Sequence, residues 1–151
     1  MTKSRTTLAP LRKVVTVPAT PQRAFELFTA EMGAWWPLRT HSVGKDAAAG
    51  VAMESRVGGR IVETLADGST SIWGTLTAWE PPHQVAFTWH PGHEERHATD
   101  VEVLFSPAGD QTRVELVHTG WERHPGTEGA RREYDTGWDF VLGKYAEGVA
   151  G

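Results

Sequence analysis

The sequence predicts an α+β domain: an antiparallel sheet covered on one face by helices that lie towards the two ends of the chain. Three observations carry this. From Arg60 to Trp89 the residues alternate with period two and break at Asp67-Gly68 and Pro81-Pro82, as a meander of three strands requires. Near residue 20 a short amphipathic helix begins. From about Thr127 to Ala150 the chain places Tyr134, Trp138, Val141 and Tyr145 on one helical face. Strands grouped together with helices outside the group imply helices segregated on one side of the sheet.

In chain order, residues 1–11 include Lys3 and Arg5 and no acid, and read as a flexible basic N-terminal arm. They lack the apolar core of a secretory signal. The first strand runs from about Arg12 to Val17 and is closed by Pro18. Thr20-Pro21 is a helix start, an N-cap hydroxyl followed by proline at the first helical position. Ala24, Phe25 and Phe28, with Leu27 beside them, form the buried stripe. Gly33 interrupts, and Ala34-Trp35-Trp36-Pro37 reads as a second short helical turn. Leu38 to Gly50 reads as a loop, and Val51 to Val57 as a strand that ends at Gly58-Gly59.

In the meander, Ile61, Glu63 and Leu65 share one face. The next strand sets Trp73, Thr75, Thr77 and Trp79 together, and the third sets Val85, Phe87 and Trp89 together. After a charged loop from Pro91 to His97 come Val101, Val103 and Phe105, then a Pro107–Asp110 turn, then Val114, Leu116 and His118. His124-Pro125-Gly126 breaks the pattern before the last helix. Inside that helix each interior glycine costs about 1 kcal/mol against alanine. Gly129, Gly137, Gly143 and Gly148 therefore mark places where the sheet's backbone could approach closely.

A chain of 151 residues and 16.6 kDa fits a single domain over residues 12–151, long enough to bury roughly 68–70% of its unfolded surface. A formal charge of −4 and a pI near 6.0 argue against a general nucleic-acid or anionic-membrane binder. The absence of cysteine excludes disulfides, thiolate metal sites and cysteine nucleophiles, and suits the cytoplasm. No apolar run reaches the roughly 20 residues that a membrane-spanning helix needs. Seven tryptophans are the compositional oddity.

Several groups could carry chemistry. His90, His93 and His97 lie on a turn rather than on one helix face, so they read as a solvated loop and not as a metal site. No metal and no cofactor are expected. His118 shares strand parity with Val114 and Leu116 and should point to the apolar side. There it is either a core imidazole bonded within the protein or a general base or ligand partner. Glu63 shares parity with Ile61 and Leu65, so it must be paired, protonated or at a cavity rim. Asp135 and Asp139 fall on the solvent side of the last helix. No nucleophile elbow, phosphate loop or dinucleotide fingerprint occurs, and no residue is assigned as catalytic. Trp73, Trp89 and Trp138 either fill a core or line a pocket that does not close.

Trp35-Trp36-Pro37, Gly58-Gly59-Arg60, Asp67-Gly68, Trp73-Gly74, Trp79-Glu80-Pro81-Pro82, Phe87-Thr88-Trp89, His118-Thr119-Gly120-Trp121 and Gly137-Trp138 together resemble the SRPBCC superfamily, also called START-like or birch-pollen-allergen-like. The resemblance is greatest to homologues of the heat-shock protein 90 ATPase activator, and it covers about Lys13 to Val149. It implies a helix-grip fold: a seven-stranded antiparallel sheet curved around a long C-terminal helix, with two short helices after the first strand. It also implies a cavity between sheet and helix that relatives use for apolar molecules. Candidate lining residues are Trp35, Trp36, Glu63, Trp73, Phe87, Trp89, Val103, Leu116, His118, Tyr134, Trp138 and Val141, with Trp35 and Trp36 near one mouth.

The first functional reading is a binder of a small apolar or aromatic molecule. The second is an enzyme of the polyketide cyclase or hydrolase kind using His118 and Glu63. The third is a chaperone-linked interaction module, for which a protein partner or a homodimer is compatible with the sequence.

Overall fold

Seven strands form one antiparallel sheet in the order β1-β7-β6-β5-β4-β3-β2, in a computed structural model that describes residues 8–151. They are β1 (Leu11–Val17), β2 (Ala48–Met53), β3 (Arg60–Leu65), β4 (Thr70–Glu80), β5 (Gln84–Trp89), β6 (Thr99–Ala108) and β7 (Gln111–Thr119). Helix α1 (Pro21–Phe28) follows β1, and α2 (Thr127–Ala150) follows β7. This is the α+β order read from the sequence, in the helix-grip arrangement that the family resemblance implied. The basic arm expected over residues 1–11 lies, as far as residue 7, outside the described residues. Its last part is tied down: Leu8 packs against the core, and the Arg131 guanidinium donates to the carbonyls of Ala9 (2.9 Å) and Pro10 (3.3 Å).

Alternation becomes burial along β5, β6 and β7. Val85, Phe87 and Trp89, then Thr99, Val101, Val103 and Phe105, then Val114, Leu116 and His118 all face inward. The N-cap is built as the sequence suggested, with Thr20 Oγ1 accepting from Arg23 N at 3.2 Å. Two expectations shift. The second short helix is a 3-10 turn at Met32–Ala34, so Trp35 and Trp36 follow it rather than form it. The strand expected at Val51–Val57 is β2, which ends at Met53. Glu54 closes a turn beyond it, its N–H bonding Arg60 O (2.9 Å) while its carboxylate accepts from Arg60 N (2.8 Å).

The larger correction concerns β4. The sequence places Trp73, Thr75, Thr77 and Trp79 on one face, yet Trp73 is buried and Thr77 exposed, with Leu76 buried between them. Ile61 pairs with Gly74 and Val62 with Ile72, which leaves Trp73 as an extra residue. A second shift falls between Leu76 and Ala78. Each bulge bends the strand and re-aims its side chains. Gly74 makes the first one fit, because a Cβ there would stand 1.8 Å from the Thr88 carbonyl oxygen.

Helix α2 buries Ala130, Trp138, Val141, Leu142 and Tyr145. The Tyr145 hydroxyl donates to the Ala24 carbonyl at 2.8 Å, fastening α2 to α1. Its outer face carries Asp135 and Asp139, both paired with Lys13 of β1 (Asp139 at 3.0 Å). The close approach at Gly148 is to Trp35, 3.2 Å from an added Cβ, and not to the sheet.

Candidate functional site

Under α2 the tryptophans pack on one another. The Trp36 ring sits 5.2 Å from Trp73, 5.8 Å from Trp89 and 6.2 Å from Trp138. Trp35 lies further along, against Phe28 and Tyr145, and donates to the Leu27 carbonyl at 2.8 Å. Trp35 therefore belongs to the contact between α1 and α2 and not to a mouth.

Two polar groups are sealed into this layer. Neither His118 nor Glu63 has any exposed surface. Trp138 Nε1–H donates to His118 Nδ1 at 2.9 Å. An indole N–H can only donate, so Nδ1 is the bare nitrogen and Nε2 carries the proton. Nε2–H then donates to Thr99 Oγ1 at 2.6 Å, and the Thr99 hydroxyl donates to the Trp89 carbonyl at 3.2 Å. Burial, with a smaller push from His124, lowers the His118 pKa to about 3. The imidazole is thus neutral, with both nitrogens engaged. It fastens α2 to β5 and β6 and has no free lone pair for a ligand or a proton transfer.

Glu63 behaves the same way. Its carboxylate accepts from Val43 N (2.9 Å), Gly44 N (2.9 Å) and Trp73 Nε1 (2.9 Å). It pins the loop after Pro37 to the sheet. Because their partners are separate, Glu63 and His118 do not form the facing acid–base pair that strand parity allowed.

The open space lies beside this layer. A pocket of about 610 Å³ is walled by Trp36, Trp89, Tyr134, Trp138 and Val141. The first four present aromatic surface, and the volume suits a drug-sized molecule. The loop residues Thr40–Val43 and Lys45 form one side, and Pro91, Gly92 and His93 form another. His124, Ala130, Glu133 and Gly137 complete the rim. Of the lining residues expected from sequence, Trp35, Glu63, Trp73, Phe87, Val103, Leu116 and His118 are in the packed layer behind this wall.

The polar groups at the mouth are not those that parity singled out. His41 stacks on Phe140, with ring centroids 4.9 Å apart, and its pKa is lowered by burial and by Lys45. His124 lies 4.8 Å from His93. Burial lowers its pKa first, then His93 and His97, while Glu133 opposes them. Both imidazoles are therefore neutral at pH 7 and able to accept a proton. His90, expected with His93 and His97 in a solvated loop, is buried, its ring bonded to the His93 carbonyl at 3.1 Å. No group of three or more histidine, aspartate or glutamate side chains is placed to hold a metal among the described residues. His41 and His124 carried no sequence signal: each stands alone in a loop, and only the chain's closure brings them together.

The family described as Activator of Hsp90 ATPase homolog 1-like protein matches residues 18–147. Among solved structures, an anthrahydroquino-γ-pyrone synthase, Txn09, is 33% identical with a TM-score of 0.63, over 93% of this chain and 97% of its own. The Aha1 dimer from Colwellia psychrerythraea is 17% identical with a TM-score of 0.66, over 94% of this chain and 96% of its own. CalU16 from Micromonospora echinospora is 20% identical with a TM-score of 0.62, over 89% of this chain and 72% of its own. No curated protein matches the sequence. No helix among the described residues is long and apolar enough to cross a membrane.

Proposed function

We propose that this chain, which belongs to the family of Activator of Hsp90 ATPase homolog 1-like proteins, binds a small, flat aromatic molecule beneath the first half of α2. The observation that carries the reading is the pocket of about 610 Å³ whose wall is Trp36, Trp89, Tyr134 and Trp138. Indole and phenol faces bury large area and stack on planar rings, and the imidazoles at the mouth face any polar edge the ligand carries. The synthase at 33% identity is named for a fused polycyclic product, which supports a ligand of that shape. The test is titration with soluble tricyclic aromatics, read by tryptophan emission and by melting temperature. Saturable quenching with a rise in melting temperature is expected. Val141→Trp, which fills the pocket, should abolish both. If no such compound binds, or if Val141→Trp binds as well as the parent, the reading fails.

A second reading, turnover of that ligand, is favoured by one observation: the relative at 33% identity is a synthase. The acid–base groups would then be His41 and His124 at the mouth, since His118 and Glu63 are committed to the fold. In this reading His124→Ala keeps affinity and loses turnover. The interaction-module reading has less support: among the described residues the exposed large apolar side chains are Val14, Val43, Val57 and Phe140.

A further inference from the structure

Six tryptophans are buried: Trp35, Trp36, Trp73, Trp89, Trp121 and Trp138. Five of them spend their indole N–H inside the protein. Trp35 donates to Leu27 O, Trp36 to His41 O, Trp73 to Glu63, Trp121 to His118 O and Trp138 to His118 Nδ1. The sixth, Trp89, does not: its ring is 3% exposed and its Nε1–H finds no acceptor among the described residues. Trp89 is also one of the residues on the pocket wall.

Beside that N–H stands the Tyr134 hydroxyl, close enough for the indole to oppose the upward push that burial gives its pKa, yet short of hydrogen-bond geometry. Burial nonetheless drives the phenol up to about 12, so it keeps its proton at any physiological pH. The pocket wall therefore holds two neighbouring donors, and the one acceptor beside them, the phenol oxygen itself, is not in hydrogen-bond geometry with the indole. A donor that cannot accept, buried without a partner, is rare in folded proteins and is normally met by something.

We infer that the Trp89 indole N–H and the Tyr134 hydroxyl form a two-donor clamp for a carbonyl or phenolic oxygen of the ligand, which makes oxygenated polycycles such as quinones and pyrones the preferred class over plain aromatic hydrocarbons. The inference rests on the pocket being a ligand site. The clamp sets both specificity and pose, because it fixes which edge of a flat molecule enters first. Discrimination of this kind exceeds what shape gives, since a ligand lacking the oxygen leaves both donors unmet.

The experiment compares the affinities of anthraquinone-2-sulfonate and anthracene-2-sulfonate for the wild-type protein. The two share ring area and charged group and differ in the ring carbonyls. The quinone is expected to bind roughly tenfold or more tightly. In Tyr134→Phe and Trp89→Phe the ratio should fall towards one, whatever happens to absolute affinity. Because the ratio is read within each protein, a general loosening of the fold cancels from it. Should Trp89→Phe fail to fold, the wild-type ratio and Tyr134→Phe still decide. Equal binding of the two compounds to wild type overturns the clamp and leaves the pocket reading standing. A preference that survives in both variants overturns its assignment to these residues. Failure of both compounds to bind overturns the clamp and the pocket together.

Discussion

Trp73 and Trp89 sit side by side with ring centroids 5.6 Å apart, yet their surroundings differ in one decisive respect. The Trp73 indole is met by the Glu63 carboxylate, which also accepts from the Val43 and Gly44 N–H groups. The Trp89 indole belongs to the pocket wall, and its N–H makes no hydrogen bond among the described residues. Strand parity cannot separate them, since it sends both inward. Satisfaction of hydrogen bonds can. In the sealed layer, buried polar groups are structure. At the open wall, an unmet donor points to a ligand.

The contrast can be broken most severely by removing the lid over both regions. Deleting everything after Arg132 takes away Trp138, Val141, Leu142 and Tyr145, all buried. One aromatic alone is worth about 3–5 kcal/mol, and together they exceed the roughly 5–15 kcal/mol margin of a typical domain. Circular dichroism melting should show no cooperative transition; a monomer with an unchanged melting temperature contradicts the helix-grip account.

Next in size is the sealed layer itself. Glu63→Leu leaves two backbone N–H groups and the Trp73 indole without an acceptor, and should cost about 3–5 kcal/mol in urea unfolding. Glu63→Gln keeps part of the network and should cost less. A loss below about 1 kcal/mol for the leucine variant would show that these three bonds are not what holds the loop after Pro37.

His118 gives a pH signature. Its folded pKa near 3 lies well below the ~6.5 of an unfolded chain. Between these values the unfolded state takes up a proton that the folded state refuses. The site's stabilisation is thus complete above about pH 6.5 and declines as pH falls towards 3, by up to about 1.4 kcal/mol per unit. His118→Gln lacks this term, so the stability advantage of wild type should shrink from about pH 6 to pH 4. An advantage that holds constant or grows on acidification is inconsistent with a buried neutral imidazole.

The smallest effect belongs to the mouth. Phe140 is 45% exposed and stacks on His41. Phe140→Ala should change stability by no more than about 0.5 kcal/mol. It should also let the His41 pKa rise towards the usual histidine value, because burial is the main cause of its depression. Proton NMR titration reads this directly, and an unmoved His41 would mean that another group shields the ring.

The sequence carried the fold well and the site poorly, and the reasons are physical. Period-two alternation places Val101, Val103, Phe105, Val114, Leu116 and His118 on the inner face because those strands run unbroken. It misplaces Thr77 because bulges at Trp73 and Thr77 leave no trace in a pattern of apolar and polar letters. Parity also brought Glu63 and His118 forward correctly as buried, but it cannot say whether a buried group is already bonded. The partners that decide this, Val43 and Gly44 for Glu63 and Trp138 and Thr99 for His118, are distant in sequence or sit in a loop without periodicity. His41 and His124 were invisible for the same reason.

The central claim is that ligand contact falls on the open wall and spares the sealed layer. Its most direct test is a titration of protein carrying 15N-labelled tryptophan with anthraquinone-2-sulfonate, following the seven indole N–H signals. The signals of Trp36, Trp89 and Trp138 should move and saturate together, with Trp89 moving most, while those of Trp35 and Trp121 hold still. Movement confined to the half-buried Trp79, or no saturable movement at all, would contradict the account.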